Sequence, residues 1–463
     1  MEEKIIEKEE YLKHNQYRCP NCSSTEILFD KETKKLKCSY CKTIFEEHKF
    51  EDKEVDISKL EGKNIYKGAK DIKDDNIITI TCNSCGAEVV IDSKSAPYAR
   101  CHWCHSILSL DNKIENGAIP DVILPFSVEK EEAMQLMSNF ITKKSFYAKK
   151  DFIDKYKEKN VLGVFLPYMI VDTNAHCSFD GTGEHLVRQY SVTVGHDKDG
   201  HPKRETRYDA DLCSVSREFD IEIDDLTIES SSDKIDKYTK DKTNFIINSI
   251  MPFDTENCIS FKSNYLVGYT SEKRDLNIKD IEMKVKTQIN DICRLSINKD
   301  LKYYDRGIKW DKEEVTELGK KWVSAALPVW IYSYCDKGKK KEVTHYVVVN
   351  GRTKELSGSI PLNVKKLFII SGLIELILLA ISIILDLIID SIIGKQVYFL
   401  LLVGVAFFLI EYLTYNNKKV RHYYESETKY RIHNIKRKDE LIKHRYELSS
   451  HYMYGSNNKR RDG

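Results

Sequence analysis

The sequence predicts an α+β fold in three parts: two cysteine-rich modules near the amino-terminal end, a mixed α+β body, and two apolar helices followed by a basic tail. Three observations carry this prediction. One cysteine spacing occurs twice, β-rich segments with some helical patterns fill the middle of the chain, and two long, nearly uncharged runs precede a tail rich in lysine and arginine.

Eight of the 13 cysteines form two copies of the pattern C-x2-C-x15-C-x2-C. Each C-x2-C places two thiolates on one tight turn, and a hairpin brings a second such pair across to complete a tetrahedron around a thiophilic metal. We therefore expect two zinc ribbons, at 15–46 and 78–112, joined by a charged linker at 47–77, with two structural Zn²⁺ ions. The predicted ligands are Cys19, Cys22, Cys38 and Cys41 in one ribbon and Cys82, Cys85, Cys101 and Cys104 in the other.

The competing interpretations of these cysteines are disulfides and redox pairs. The polar start of the chain lacks the apolar core of a secretory signal, and neither copy has the βαβ context of a redox C-x2-C. His102 and His105 flank the last pair. Either could replace a cysteine as a metal ligand, but the regular four-cysteine spacing disfavours this, so we expect exposed polar roles for both. Within each copy, we expect the two apolar segments between the pairs to form a hairpin: 27–29 with 36–37, and 89–91 with 98–100.

Two apolar runs near the other end predict a transmembrane hairpin, with helices at 367–390 and 397–414. A buried helical hairpin in a soluble protein is the alternative, but core helices are seldom apolar on every face. Basic residues flank both outer ends, at Lys365, Lys366 and 418–421, so the positive-inside rule predicts a multi-pass protein of the cell membrane with both termini cytoplasmic.

Three acids lie in or beside the first apolar run. Glu375, Asp386 and Asp390 share one helical face by spacing, and Glu375 lies near the middle of the run. An acid at that depth is costly, which favours a polar seam against the second span or a partner protein. A tolerated acid on a marginal span, with both aspartates at the outer interface, is the equally weighted alternative.

The body, at 114–362, is long enough for one large or two small domains. Apolar residues at helical spacing predict a helix within 128–146, and further helices are expected near 276–298 and 311–320. A DG turn at 199–200 predicts a β-hairpin, and two similar segments that begin with a Leu-Pro pair indicate a duplicated sheet element.

The body contains none of the common catalytic motifs: G-x4-G-K-[ST], G-x-S-x-G and H-E-x-x-H are all missing from the sequence. The sequence therefore predicts a protein that is not an enzyme. The alternative, a membrane-associated enzyme, would draw on His176, Asp180 and His185.

The tail, at 416–463, is rich in lysine, arginine and tyrosine. Apolar residues from Ile432 to Leu448 form a weak stripe at helical spacing, which predicts a basic helix lying along the inner leaflet and attracted to anionic lipid. An ordinary solvated helix and an RNA-binding tail are the alternatives.

Several ordered blocks of this chain resemble a bacterial family of membrane proteins with zinc ribbons of the transcription-factor-IIB type. The blocks are PFSVEKEEAMQLMSNFITKKSF, LPYMIVD, IMPFDTENCISFKSNYLVGYTSEKRD, LPVWIYSY and VVVNGRTKELSGSIPLNVKK. The resemblance spans most of 19–415 and implies a membrane-anchored adaptor, sometimes paired with membrane scaffolds of the SPFH type. Of the functional residues, only the eight cysteines carry over, and the long basic tail departs from the shorter ending of the family.

We therefore expect a membrane-anchored zinc-ribbon adaptor or scaffold that recruits a protein partner to the cytoplasmic face of the membrane. The alternative is a membrane-tethered nucleic-acid binder. Nucleic-acid contact favours clustered basic residues, whereas this chain has a net charge of only +1 and an evenly mixed linker. Lys34, Lys35 and Lys37 on the first hairpin are its best phosphate contacts, and a solvated hairpin edge is their simpler explanation.

Overall fold

The computed structural model of the 463-residue chain describes residues 27–30, 35–38, 42–45, 57–66, 76–93, 99–114, 120–196, 200–231, 249–261, 263–274, 276–337, 342–388, 402–416 and 424–448. The helices are α1 Lys130–Lys143, α2 Lys150–Lys155, α3 Ile278–Ser296, α4 Val364–Ile388, α5 Val403–Asn416 and α6 Tyr424–Glu427. The strands are β1 Ile27–Asp30, β2 Lys35–Cys38, β3 Ile44–Phe45, β4 Asn64–Tyr66, β5 Ile77–Thr81, β6 Glu88–Asp92, β7 Lys113–Ile114, β8 Val122–Ile123, β9 Val161–His196, β10 Pro202–Glu229, β11 Ile259–Ser260, β12 Thr270–Glu272, β13 Gly307–Lys337, β14 Glu342–Asn350, β15 Leu356–Gly358 and β16 Lys429–Leu448.

Four long antiparallel strands form the centre of the body, in the order β16–β10–β9–β13. β9 alone has 36 residues and β13 has 31. The predicted hairpin is confirmed, because β9 and β10 pair antiparallel from His196 and Pro202 down to Tyr168 and Glu229. The two Leu-Pro segments also meet, since Leu166 pairs with Leu327 across β9 and β13.

One face of this sheet is apolar and is covered by α3. Side chains alternate between the two faces along a strand, so Val171, Ala175 and Phe179 of β9 point into the same core. α3 confirms the helix expected near 276–298. It begins with a capping box between Asn277 and Asp280. Its buried apolar residues recur at helical spacing and pack on the strands: Ile281, Val285, Ile289, Ile292 and Cys293.

The second cysteine module is part of the same large sheet. β5 pairs with β6, β6 pairs with β12 through Val90 and Ser271, and β12 pairs with β9 through Thr270 and Val164. One core cluster contains Cys82, Cys101 and Trp103 of the module together with Leu166 and Ile331 of the body. The module is therefore fixed to the body by both strand pairing and packing.

Two predictions of local structure in the body and the second module are wrong. Residues 311–320 lie within β13 and pair with β9, although their charged sequence favours a helix, because the neighbouring strand supplies a long-range partner. In the second module, 89–91 does form a strand, β6. At Val89 and Val90, however, β5 pairs with one edge of β6 and β12 pairs with the other, so neither edge is open to 98–100. Arg100 instead bridges to Ile107, so the expected hairpin between 89–91 and 98–100 does not form.

The tail prediction is also corrected: residues 429–448 form strand β16, which pairs with β10, rather than a basic helix. β10 is rich in acids, and the basic side chains of β16 find partners there, such as Lys436 with Glu218 at 2.8 Å. Ile432 and Ile435 pack against the core under α3, whereas Leu441 and Ile442 are exposed. The residues of the predicted apolar stripe are thus divided between the core and the solvent-exposed surface.

The two apolar helices are present, and α1 confirms the helix expected within 128–146. Among the described residues, one helix is long and apolar enough to cross a membrane by length and composition: Val364–Ile384, which has 21 residues. Val403–Tyr415 is apolar but shorter. The two helices pack antiparallel, since Phe368 lies against Phe408 and Glu375 against Gly404. Residues 389–401, including Asp390, lie outside the described residues.

Candidate metal centre

Cys82, Cys85, Cys101 and Cys104 converge as the spacing predicts. Their sulfur atoms all lie within 4.8 Å of one another. The Sγ atoms of Cys82 and Cys104 are 3.5 Å apart, and those of Cys85 and Cys101 are also 3.5 Å apart. This tetra-cysteine group can hold a metal ion.

Two similar backbone turns bring these thiols together. In the first turn the amide of Gly86 donates to the carbonyl of Cys82 (2.8 Å), and in the second the amide of His105 donates to the carbonyl of Cys101 (2.8 Å). The residue after each pair has a left-handed backbone, with φ of 74° at Gly86 and 61° at His105. The chain therefore folds back after each C-x2-C and points both sulfurs of the pair inward.

The chemistry of the donor set fits zinc. Zn–S bonds of about 2.3 Å in a tetrahedron put sulfur atoms about 3.8 Å apart, close to the separations found here. Four sulfur donors with no oxygen or nitrogen favour Zn²⁺ over hard cations such as Mg²⁺ or Ca²⁺. Cys101 is fully buried and Cys85 is exposed, so the group lies at the surface with one side in the core.

The thiols also perturb one another. Hydrogen bonds to Cys104 and Cys85, together with burial, raise the pKa of Cys101. Hydrogen bonds from Cys101 and Cys85 lower the pKa of Cys104, which is half-buried. Because thiolates are the ligands, a divalent cation bound by these cysteines would displace the thiol protons.

The two flanking histidines hold the module to the body, so the default expectation of exposed polar roles is wrong. His102 is fully buried, and its Nδ1 lies 3.2 Å from the Thr270 hydroxyl on β12. The Nε2 of His105 donates to the carbonyl of Ser333 on β13 (2.9 Å). Ser333 in turn donates to the carbonyls of His102 and Trp103. The turn that contains Cys101 and Cys104 is therefore attached to β13, the strand next to β9.

The first cysteine group lies mostly outside the described residues. Cys19, Cys22 and Cys41 are not among them, and Cys38 is described as the last residue of β2. The described part matches the second module. Lys42 follows the second pair with φ 60°, as His105 does in the other copy. Lys37 pairs with Ile44 across that turn, and Arg100 bridges to Ile107 at the equivalent positions. The expected hairpin between β1 and β2 is confirmed.

Glu375 contacts the second apolar helix. Its Oε2 accepts a hydrogen bond from the amide of Gly404 (2.9 Å) in the first turn of α5. That amide belongs to the helix end that lacks intrahelical partners, so an acid is well placed there. The side chain of Asp386 and all of Asp390 lie outside the described residues, and the seam along all three acids stays a prediction.

An acidic cluster in the body was not predicted from the sequence. The carboxylates of Asp172, Asp224 and Asp225 lie within 4.8 Å of one another. Burial, followed by repulsion from the other two acids, raises the pKa of Asp225 to about 6. Lys321 supplies a positive charge 3.1 Å from Asp172. The two consecutive acids at 224–225 can be recognised in the sequence. Asp172 lies beside them only because of the register in which β9 and β10 pair, which the sequence does not show.

The candidate residues for an enzyme are spread along β9. His176 contacts Asp220 through Nδ1 at 2.8 Å, and His185 donates through Nδ1 to the carbonyl of Tyr303 (2.7 Å). At about 3.3 Å per residue, nine positions along a strand separate them by roughly 30 Å. His176, Asp180 and His185 therefore do not converge on one site.

Comparison with known proteins identifies a relative but assigns no activity. An uncharacterized protein of Bacillus subtilis (strain 168), YdjG, is 25% identical over 352 residues, which cover 75% of this chain and 90% of YdjG. No family profile matches the chain, and no solved structure matches it. The function is therefore argued from the residues of this chain.

Proposed function

We propose that this protein is a membrane-anchored zinc-ribbon adaptor. The two cysteine groups each hold one Zn²⁺, 367–390 and 397–414 form two spans of the cell membrane, and both termini lie in the cytoplasm. The body and the ribbons recruit a protein partner to the cytoplasmic face. The resemblance to the ribbon-containing membrane family makes a membrane scaffold of the SPFH type one candidate partner.

The observation that carries this proposal is the series of contacts that links the second cysteine module through the body to the apolar helices. The second module shares the sheet through β6, β12 and β9, and its histidines are bonded to Thr270 and Ser333. At the other end of the body, the amide of Asn363 donates to the carbonyl of Tyr147 (2.7 Å), directly before α4 begins. A partner bound at the ribbon would therefore be held at a fixed place relative to the bilayer.

The ribbons present apolar rather than basic residues at matched positions. Ile107 is 75% exposed and Ile44 is 48% exposed, and each follows its second cysteine pair by three residues. Exposed isoleucines at a repeated position favour contact with protein over contact with phosphate. Many basic residues of the tail are also engaged with β10, for example His444 with Asp211 at 2.5 Å, which weakens the nucleic-acid alternative.

Affinity capture tests this function. Full-length protein would be captured from detergent-solubilised, nuclease-treated membranes, beside an Ile107→Asp variant and a Val187→Asp control. Val187 is 56% exposed on β9, away from the module. We expect a protein partner at near-equal amounts with the wild type and the control, and about tenfold less with the Ile107 variant, because a central apolar contact dominates such interfaces. Capture of nucleic acid alone before nuclease treatment would support the alternative.

A further inference from the structure

The turn at 145–149 lies against the base of both apolar helices. The amide of Lys149 donates to the carbonyl of Pro361 (2.9 Å), and Ala148 bridges to Leu362, two residues before α4 begins. Tyr415, near the end of α5, reaches the same turn, where its hydroxyl accepts from the amide of Tyr147 (3.3 Å). If the apolar helices enter a bilayer, this turn lies at its surface.

The turn carries aromatic side chains suited to that position. Phe146 is 61% exposed, and Phe368 in the first turns of α4 is 68% exposed. The ammonium of Lys366 donates to the carbonyl of Phe146 (2.6 Å) and lies 4.1 Å from the centroid of its ring. The ring of Tyr147 packs edge-on against Phe407 of α5. Aromatic rings beside lysines are enriched where protein meets lipid headgroups.

Further basic residues lie within four positions of Phe146 in the chain or next to Lys366, which contacts its ring. Lys143 ends α1, Lys150 begins α2 and Lys365 lies in the first turn of α4, and all three are exposed. In the part of the chain that the structure describes, these three form no ion pair. Of the nearby acids, Asp336 pairs with Lys149 and Asp151 pairs with Lys155, while Glu411 of α5 lies near Tyr147. Lysines still outnumber acids on the surface around Phe146, which therefore has a net positive charge.

We propose that Phe146, Lys143, Lys150 and Lys365 form an interfacial patch that binds the headgroups of anionic phospholipids. The ring of Phe146 enters the boundary between headgroups and acyl chains, and the three ammonium groups contact phosphate and other anionic oxygens. This inference rests on the proposed membrane anchoring. The sequence predicted that the basic tail contacts anionic lipid, but residues 429–448 of that tail pair with β10. We assign the contact with lipid to this patch on the body instead.

A tryptophan reporter tests the patch. Phe146→Trp would be introduced into the full-length protein, in which Trp103, Trp322 and Trp330 are buried and Trp310 is partly buried, and the unmodified protein would give the background quenching of these four. The protein would be reconstituted into phosphatidylcholine vesicles containing equal fractions of brominated phosphatidylglycerol or brominated phosphatidylcholine. We expect at least about threefold stronger quenching by the anionic lipid, because three lysines concentrate it locally. Changing Lys143, Lys150 and Lys365 to Gln should equalise the two lipids.

Met283 provides a matched control. It is 74% exposed on α3 and lies between the exposed residues Lys279 and Lys286 on that helix, so Met283→Trp places a similar reporter among lysines away from the apolar helices. We expect little quenching there by either lipid. Equal quenching of the Phe146 reporter by both lipids would overturn the headgroup preference while membrane anchoring stands. Protein that fails to float with vesicles would overturn the anchoring and the patch together.

Discussion

In the part of the chain that the structure describes, a left-handed residue follows three of the cysteine pairs and lets the chain turn back toward the thiols. Glycine adopts this conformation freely, and Gly86 signals it in the sequence. His105 and Lys42 adopt the same conformation at a cost of about 1–2 kcal/mol, and no local sequence pattern predicts it at these two residues. For His105, the hydrogen bond to the carbonyl of Ser333 offsets that cost and ties the turn to β13.

Zinc content tests the ligands directly. We expect two zinc ions per purified full-length chain, one fewer in Cys85→Ser and one fewer in Cys22→Ser, because each change removes one of four thiolates. Cys335→Ser should keep both ions, since Cys335 lies near the end of β13, outside either group. Elemental analysis of the proteins measures this. Full zinc content in Cys85→Ser, or none in the wild type, would contradict the assignment.

His345 on β14 makes stability depend on pH. Burial lowers its pKa from 6.5 to about 4, while Asp336 acts weakly in the opposite direction. The unfolded chain therefore binds a proton that the folded protein does not, and stability falls as the pH drops from about 6.5 to about 4. The slope approaches about 1.4 kcal/mol per pH unit for one proton.

Thermal unfolding in detergent at pH 7.5 and pH 5 measures this effect. We expect the wild type to lose more of its Tm between these conditions than His345→Gln, which cannot take up the proton. Other groups that titrate in this range are common to both proteins and cancel in the comparison. Parallel losses of Tm in the two proteins would show that His345 is not the source.

At the scale of elements, strand β16 is held by buried charges. The carboxylate of Glu184 is fully buried and contacts Arg306 of the loop before β13 at 3.2 Å and Arg445 of β16 at 2.6 Å. Arg217 of β10, also buried, contacts Asp439 of β16 at 2.5 Å. Such groups specify one register, because a shifted strand would leave a buried charge without its partner.

Glu184→Gln should therefore destabilise the protein by about 3–5 kcal/mol, since it leaves Arg306 buried beside a neutral amide. Glu440→Gln is the control, because Glu440 contacts Lys438 on the exposed surface of β16, where such pairs contribute about 0–1 kcal/mol. Urea unfolding followed by tryptophan fluorescence measures both. A loss in the Glu184 variant no larger than in the control would exclude a structural role for the buried network.

Local patterns predicted the elements whose evidence is local. The cysteine spacing located the second tetra-cysteine group, helical spacing located α1, and the DG turn located the β9–β10 hairpin, while the helix expected near 276–298 corresponds to α3. The elements that depend on distant partners were missed. Val90 pairs with Ser271, and Ile432 pairs with Ile221 on a strand about two hundred residues earlier. Neither pairing can be recognised from a short stretch of sequence, because the two partners are far apart in the chain. Residues 311–320 likewise form a strand, although their sequence is charged, because the distant strand β9 pairs with them.

At the scale of the whole molecule, the body connects the tetra-cysteine group of the second module to the apolar helices. The second module extends the sheet from one side of β9, and the turn at 145–149 and the segment at 361–363 join the body to α4 and α5. Exposed apolar side chains cover α4, including Leu376 and Ile377 at 63% and 59% exposure. On a protein surrounded by water this surface would be costly, and in a bilayer it is satisfied by lipid.

Extraction of membranes with alkaline carbonate tests the central claim most directly. We predict that the full-length protein stays in the membrane pellet, that a Leu376→Lys, Ile377→Lys variant shifts to the soluble fraction or is degraded, and that Met283→Lys behaves as the wild type. Each lysine near the centre of a span opposes insertion by about 2.5–3.5 kcal/mol. Wild-type protein recovered in the soluble fraction, or a double variant that stays fully in the pellet, would contradict an anchor formed by α4.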